Sequence, residues 1–253
     1  MALSFRKTRI LEIARNEGRV VVEDLSSRLG VAVQTIRRDL SELARDGQLD
    51  RVHGGALMPA GVLNIRHAER QVTNAIEKEA IARACAAHIP DNASVLLNIG
   101  TSTEAVARAL LGHSNLTVLT NNLYVADILA ANDSFRIIVA GGVLRASDRA
   151  LVGDMAAEAI AQFKMDHAVI GVSAIDEDGD LMDFDLDEVR VSREIVRRSK
   201  RVLLVADRSK FERAAPVRIA SLADIDMVFT DARPGALAAR CADWGTELVE
   251  VAV

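Results

Sequence analysis

The chain has 253 residues, half of them hydrophobic and only 3% aromatic, with a formal net charge of -5. Those numbers leave room for a sizeable core of Ala, Val, Leu and Ile, in one large domain or two. They argue against a disulfide scaffold and a membrane helix: Cys85 and Cys241 lack CxxC spacing, and charges interrupt every apolar run before the roughly 18–20 residues a span needs. The opening MALSFRKTRILEIARNEG carries helical periodicity instead of a long apolar segment. A cytoplasmic protein with no membrane partner, metal site or cofactor is the expectation.

In chain order, residues 5–17 place Ile10, Leu11, Ile13 and Ala14 at helical spacing before Gly18. Val20-Val21-Val22 is short and β-branched, and residues 23–29 form a second small helix ended by Gly30. Residues 33–44 predict a third helix, with Val33, Ile36, Leu40 and Leu43 inward and Gln34, Thr35, Arg37, Arg38 and Glu42 outward. Residues 48–57 alternate into Gly54-Gly55, which suits a hairpin. Three short helices and a β-wing within residues 1–57 predict a winged helix-turn-helix.

Charge agrees with that division. Residues 1–56 carry +2 and the remainder -7, so an acidic chain still has a local anion-binding face. On a helix lying in a major groove, Gln34, Thr35, Arg37 and Arg38 have the chemistry for base edges and phosphates. Arg51 and His53 on the wing would reach an adjacent phosphate or the minor groove. Asp39, which would repel phosphate, is expected to orient a neighbouring Arg. Ala32, at the expected N-cap, lacks a capping oxygen worth on the order of 1 kcal/mol. An isolated Arg pair is usually a solvated helix face; the helix–Gly–helix spacing before it and the Gly-Gly after it favour DNA.

The segment VAVQTIRRDLSELARDGQLDRVHGGA resembles the signature of the DeoR family of bacterial transcriptional repressors. The resemblance implies a TIRRDL recognition helix, an HGGA wing and operator DNA as partner.

Residues 58–76 read as a linker and residues 77–253 as a second domain. There, helical segments (77–89, 102–112, 122–132, 154–163, 187–199, 234–243) alternate with apolar runs at 95–99, 116–120, 136–142, 167–173, 201–207 and 227–231. That alternation predicts an α/β domain with a mostly parallel sheet. VLLNIGTST runs a strand into Gly100, Thr101, Ser102 and Thr103 and then a helix, a loop that offers amides, hydroxyls and a positive dipole to an anion. No Walker lysine follows, so ATP and GTP are not indicated. Asn121 and Asn122, Gly141 and Gly142, and Asp207 with Lys210 follow three further strands, and ligands bind beyond the carboxyl ends of parallel strands. Lys210 would neutralise a phosphate while Asn121, Asn122 and Asp207 bond hydroxyls; ordinary turn chemistry is the plainer alternative.

This half resembles the DeoR sensor domain, which shares its fold with ribose-5-phosphate isomerase and binds phosphorylated sugars. IGTSTEAVARALLGHSNLTVLTNNLYVA, FRIIVAGGVLRASDRALVGD and GVSAIDEDGDLMDFDLDEVRVSREIV resemble the branch of the family that responds to glycerol 3-phosphate. The resemblance implies that this ligand or another sugar phosphate is the effector, that the repressor is a homo-oligomer, and that Phe184, Asp185, Glu188 and Arg190 border the pocket. Two departures stand out: Asn98 replaces a common acidic residue, with an expected effect on hydroxyl recognition. Ser192 replaces a common Lys, for which Arg193 could substitute.

Two rivals remain open at this point. A sugar-phosphate isomerase would need a positioned carboxylate, for which Asp185, Asp187, Glu188 and Asp207 are candidates; the fused DNA-binding domain argues against an enzyme, and no catalytic residue is assigned. A helix-turn-helix used only for protein contacts would lack the steep salt dependence of DNA binding.

Overall fold

The computed structural model describes residues 5–17, 19–52, 54–57, 67–232 and 235–253. The chain divides into two compact units, Met1–Glu69 and Arg70–Val253.

In the first unit, helix α1 (Phe5–Glu17) leads into strand β1 (Arg19–Val21), helices α2 (Val22–Leu29) and α3 (Val33–Arg45), and strands β2 (Asp50–Val52) and β3 (Gly55–Leu57). The strands form an antiparallel sheet in the order β1-β3-β2. Ile10, Leu11 and Ala14 of α1, Leu25 of α2 and Ile36, Leu40 and Leu43 of α3 share one buried core, the inward set that the periodicity predicts. The turn between α2 and α3 is set by Gly30, which caps α2 in the left-handed conformation, and by Ser26, whose hydroxyl bonds the Val31 carbonyl at 2.6 Å. In the wing, Gly54 has φ +78°. Gly55 is needed for a different reason, because a Cβ there would meet the Val20 carbonyl oxygen at 2.0 Å. His53 of the expected hairpin lies outside the described residues.

The second unit is built on seven parallel strands: β4 (Ser94–Leu97), β5 (Thr117–Thr120), β6 (Arg136–Val139), β9 (Met165–Ile170), β12 (Ser199–Val205), β14 (Met227–Thr230) and β15 (Glu247–Glu250). Their order is β15-β14-β12-β9-β4-β5-β6. Successive side chains point to opposite faces, so Leu96, Ala168, Ile170 and Leu204 enter one core layer while Val95, Leu97, Val169, Leu203 and Val205 enter the other. Helices α4 (Ala75–Ala86), α5 (Thr101–Leu110) and α6 (Leu123–Leu129) cover the second layer. Helices α7 (Asp154–Ala161), α8 (Leu186–Arg197) and α9 (Gly235–Trp244) cover the first. Cys85 and Cys241 are buried in opposite layers as free thiols.

Several short strands were not expected from the sequence: the hairpin β7 (Val143–Arg145) with β8 (Ala150–Val152), and the antiparallel sheet of β10 (Ala174–Ile175), β11 (Asp180–Asp183) and β13 (Val217–Ser221). Edge strand β15 was also missed. These are two to five residues long with polar positions inside them, too short for a period-2 signal. Of the stretch expected as linker, residues 58–66 lie outside the described residues, 67–72 are helical, and α4 begins at Ala75.

The chain leaves β4 towards β5 and β6 and later returns to place β9 on the other side of β4. The strand order therefore reverses between β4 and β9. Asp166, at the start of β9, stitches this seam at its amino end. Its carboxylate accepts bonds from the Ser94 amide (3.1 Å), the Ser94 hydroxyl (2.6 Å) and Lys200 (2.8 Å), which hold it well below the usual carboxylate range.

Two outcomes follow. Gly55→Ala should lower the stability of the winged unit by about 1–3 kcal/mol through forced separation of β1 and β3, read as a shifted denaturant midpoint. Because the Asp166 pKa is depressed on folding, its contribution is present above about pH 4 and is lost as pH falls towards the native value. Asp166→Asn should accordingly flatten the acid limb of stability against pH; an acid limb identical to that of the parent would contradict the assignment.

Candidate functional site

The winged unit presents one polar face from α3. Gln34, Arg37 and Arg38 are exposed and Thr35 is half-buried, while Arg51 is exposed on β2. Arg38 is 83% exposed, and Arg37 has no ion-pair partner among the described residues. Ala32 is the N-cap and supplies no side-chain bond, so α3 begins with amides uncapped by any side chain. The expected partner of Asp39 proves to be neither Arg37 nor Arg38. Asp39 is 4% exposed and is gripped by Arg6 of α1 through both carboxylate oxygens, at 2.5 and 3.2 Å. Its charge is thereby neutralised. Glu42, expected outward, bonds Lys7 at 2.6 Å and Arg38 at 3.1 Å.

In the second unit, the carboxyl ends of β4 and β9 flank the reversal of strand order, where ligands settle in open α/β sheets. Asn98 follows β4 and is 2% exposed; its side-chain oxygen accepts from the Gly171 amide (3.1 Å) and its amide reaches the Gly171 carbonyl (3.4 Å). The oxygen and one N–H of the amide are engaged across the seam, and the second N–H is the group that remains to act on a ligand hydroxyl.

Gly100, with φ +127°, turns the chain into α5. Thr103 is fully buried, and its hydroxyl lies 2.7 Å from the Gly100 carbonyl and 3.0 Å from that of Asn98, which makes it the closure of the loop. Thr101 and Ser102 are buried, with no side-chain hydrogen bond among the described residues.

Beyond β5, Asn121 and Asn122 are 1% and 0% exposed. The Asn121 amide donates to the Leu151 carbonyl (3.0 Å), and the Asn122 oxygen accepts from the Tyr124 amide as the cap of α6 (2.9 Å). The other ends, Asn121 Oδ1 and Asn122 Nδ2, are buried without a partner among the described residues. Buried polar atoms of this kind cost about 1–3 kcal/mol each unless something satisfies them. Gly142 serves packing: with φ +147°, a Cβ would lie 2.9 Å from Ala156 Cβ. Gly141 has open space instead.

Beyond β12, Asp207 is 2% exposed and accepts from Asn74 (2.9 Å) and from the Ser209 amide and hydroxyl. Burial opposes its charge, yet Ser209, Lys210, Asn74 and Lys78 hold its carboxyl below the ordinary range. Burial pushes Lys210 down to about 8 against the pull of Asp207, with Arg213, Arg70 and Lys78 adding to the depression. Burial likewise lowers Lys78, which bonds the carbonyls of Arg70 and Thr73 and senses both Asp207 and Glu104 of α5. Lys78 is buried, Lys210 is half-buried and Arg70 and Arg213 are exposed, with the carboxylates of Asp207 and Glu104 among them. Two lysines whose burial opposes their charge make this a place where an added anion is favoured.

Residues missed at the sequence level complete this region. Asn74 and Gln71, placed in the linker, bond Asp207 and Glu104. Asn74 is left-handed at φ +52°, away from the extended backbone a capping residue takes, and its side-chain nitrogen donates to Asp207. An Asn just before a helix was the available signal, but it reads as a cap. Arg145, from the unexpected hairpin, binds Asp148 (2.6 and 2.9 Å), Asp185 (2.9 Å) and Glu188 (2.8 Å). Although 16% of its side chain is exposed, Glu188 is pushed up to about 8 by burial and by Asp183, against Arg145. Asp183 is raised mainly by burial and senses both Arg145 and Lys210. Arg190 is not brought to this cluster: two residues along α8 from Glu188, it pairs with Asp154 at 2.9 Å on an exposed face. Arg193 bonds the carbonyls of Arg218 and Ile219 and so supports β13 rather than replacing a lysine at the site. Phe184 is 37% exposed.

Residues 6–61 match the DeoR-like helix-turn-helix domain and residues 73–232 the DeoR C-terminal sensor domain. The chain belongs to the DeoR family and is a DNA-binding transcriptional repressor with a sugar-phosphate effector domain. It is 45% identical over 229 residues to the glycerol-3-phosphate regulon repressor of Escherichia coli, covering 90% of this chain and 91% of that one. It is 42% identical over 249 residues to the repressor of the same name from Haemophilus influenzae (98% and 97% covered). It is also 39% identical to the Escherichia coli transcriptional repressor CsqR (96% and 94%). Among solved structures, a ribose-5-phosphate isomerase in complex with phospho-erythronic acid aligns at TM-score 0.40 and 16% identity, covering 53% of this chain and about half (52%) of that one. No helix among the described residues is long and apolar enough to cross a membrane.

With Lys210 at about 8, anion binding should weaken as pH rises from 7 to 9: the lysine loses its proton, and Glu188 loses one over the same range. Both changes act against a bound phosphate. Lys210→Arg should flatten this limb in a calorimetric titration at several pH values, since the guanidinium stays charged. An equally steep limb in the variant would remove Lys210 from the anion contact.

Proposed function

We propose that this protein is a cytoplasmic, homo-oligomeric repressor, not an enzyme, whose operator affinity is controlled by glycerol 3-phosphate. The observation that carries the reading is the pair of lysines beside Asp207, Lys78 buried and Lys210 half-buried, together with two asparagines whose buried side-chain atoms lack a partner among the described residues. A phosphate meets the first requirement and hydroxyls meet the second. The names of the 42–45% identical relatives support glycerol 3-phosphate over other phosphorylated polyols.

In this reading residues 1–57 bind DNA, 58–76 connect and 77–253 bind the effector, with Gln71 and Asn74 added to the effector unit. Gln34, Thr35, Arg37, Arg38, Arg51 and His53 face the operator. Gly100, Thr101, Ser102, Lys210 and the open Gly141 surround the phosphate. Asn121, Asn122, Glu188 and Asp207 meet the hydroxyls, and Thr103 and Gly142 shape the loops. Arg190 contributes through its bond to Asp154. Asp183 and Glu188 favour a second reading, an isomerase-like site with a shared carboxylic proton; turnover of ribose 5-phosphate would select it. The helix-turn-helix gives that reading no support.

Glycerol 3-phosphate should raise the melting midpoint of the full chain in a concentration-dependent way, and change its affinity for a duplex selected from a random library. Asn121→Leu should bind the ligand at least tenfold more weakly while keeping a parent-like fold. No midpoint shift with glycerol 3-phosphate, but a clear one with another sugar phosphate, would reject this effector.

A further inference from the structure

The DNA-facing side of the winged unit contains a feature that base and phosphate contact does not require. A groove there is lined by Arg6, Lys7, Gln34, Thr35, Arg38, Asp39 and Glu42. Two carboxylates in a surface meant for phosphate are costly unless each has a task. Asp39 has one: it is buried and bidentate with Arg6, and so fastens α1 to α3.

Glu42 is placed differently. Its side chain is 29% exposed, and its two oxygens are divided between two cations, Oε2 to Lys7 of α1 and Oε1 to Nε of Arg38. Among the described residues only Nε of Arg38 is engaged, which leaves its two terminal nitrogens as a fork on a side chain that is 83% exposed. An unrestrained arginine would sample many rotamers and lose that freedom on binding. An arginine held at Nε presents a fork whose plane is set in advance, the arrangement that bidentate contact to guanine needs. The Glu42 charge also partly offsets Lys7 and Arg38, which weakens attraction to any phosphate backbone regardless of sequence.

We propose that Glu42 is the specificity-determining positioning residue of the DNA face: it aims the Arg38 fork and restrains the sequence-independent pull of Lys7 and Arg38. Lys7 is the second anchor of this device. Held from α1, it keeps Glu42 from collapsing onto Arg38 alone. The inference rests on the reading that α3 faces the operator.

The test compares full-length parent, Glu42→Gln, Glu42→Ala and Arg38→Ala by fluorescence anisotropy. The probes are the tightest duplex from a random-sequence selection and a scrambled duplex of equal length, across a salt series. Glu42→Gln removes the charge and keeps an acceptor; Glu42→Ala removes both. Both should bind scrambled DNA several-fold more tightly, with a salt slope steeper by about one counterion. The ratio of selected to scrambled affinity should fall about tenfold in Glu42→Ala and less in Glu42→Gln, with melting midpoints close to the parent. A merely structural glutamate would lower both affinities together and leave their ratio unchanged. If Arg38→Ala abolishes selective binding while both Glu42 variants keep the parent ratio and salt slope, the Glu42 inference fails and the recognition-helix reading stands. If Arg38→Ala itself binds the selected duplex as the parent does, the face reading fails with it.

Discussion

The pairing of Asn98 with Gly171 across the β4–β9 seam is the constraint on which the effector unit depends. A parallel sheet whose strand order reverses must leave a crevice where the two loops part in opposite directions. Asn98 closes the floor of that crevice by satisfying both backbone groups of Gly171, and Asp166 pins the same two strands at their other end. Between those fixed points, β4 and β9 cannot shift in register without exposing or orphaning polar groups. The loop after β4 is therefore held rigidly enough for Gly100 to turn and for α5 to begin with its amides facing the crevice.

The second consequence is electrostatic. Asp207 and Lys210 from one segment meet Asn74 and Lys78 from another, with Asn74 and Asp207 133 positions apart, in one place at the carboxyl edge. Burial opposes the charge of Lys78 and Lys210, and a bound anion would offset that cost, as hydroxyls would offset that of the buried asparagine atoms. For that energy to act on DNA, the ligand must favour one arrangement of the winged units over another.

Much of this was legible in the sequence, for identifiable reasons. The apolar periodicity of residues 10–14 and 33–43 reports directly on the winged core, because each helix buries one face only. Five of the six runs became interior strands, continuous in apolar residues because both sheet faces are covered, and the sixth became the edge strand β6. What stayed hidden depends on long-range pairing. Arg145 sits on a three-residue strand, and its carboxylate partners include residues 40 and 43 positions away. Asn74 looks like a helix cap and instead reaches residue 207. Glu188 and Arg190 lie two residues apart, and only the rotation of α8 separates them. Asp39 and Glu42 likewise find α1 cations more than thirty residues upstream.

The most direct test of the central claim is the electron density of the full chain crystallised with glycerol 3-phosphate. The phosphate should lie between the amides that follow Gly100 and the Lys210 side chain, with the glycerol hydroxyls against Asn121 Oδ1 and Asn122 Nδ2. Phosphate density away from the β4–β9 seam, with both asparagine atoms still unpaired, would contradict it.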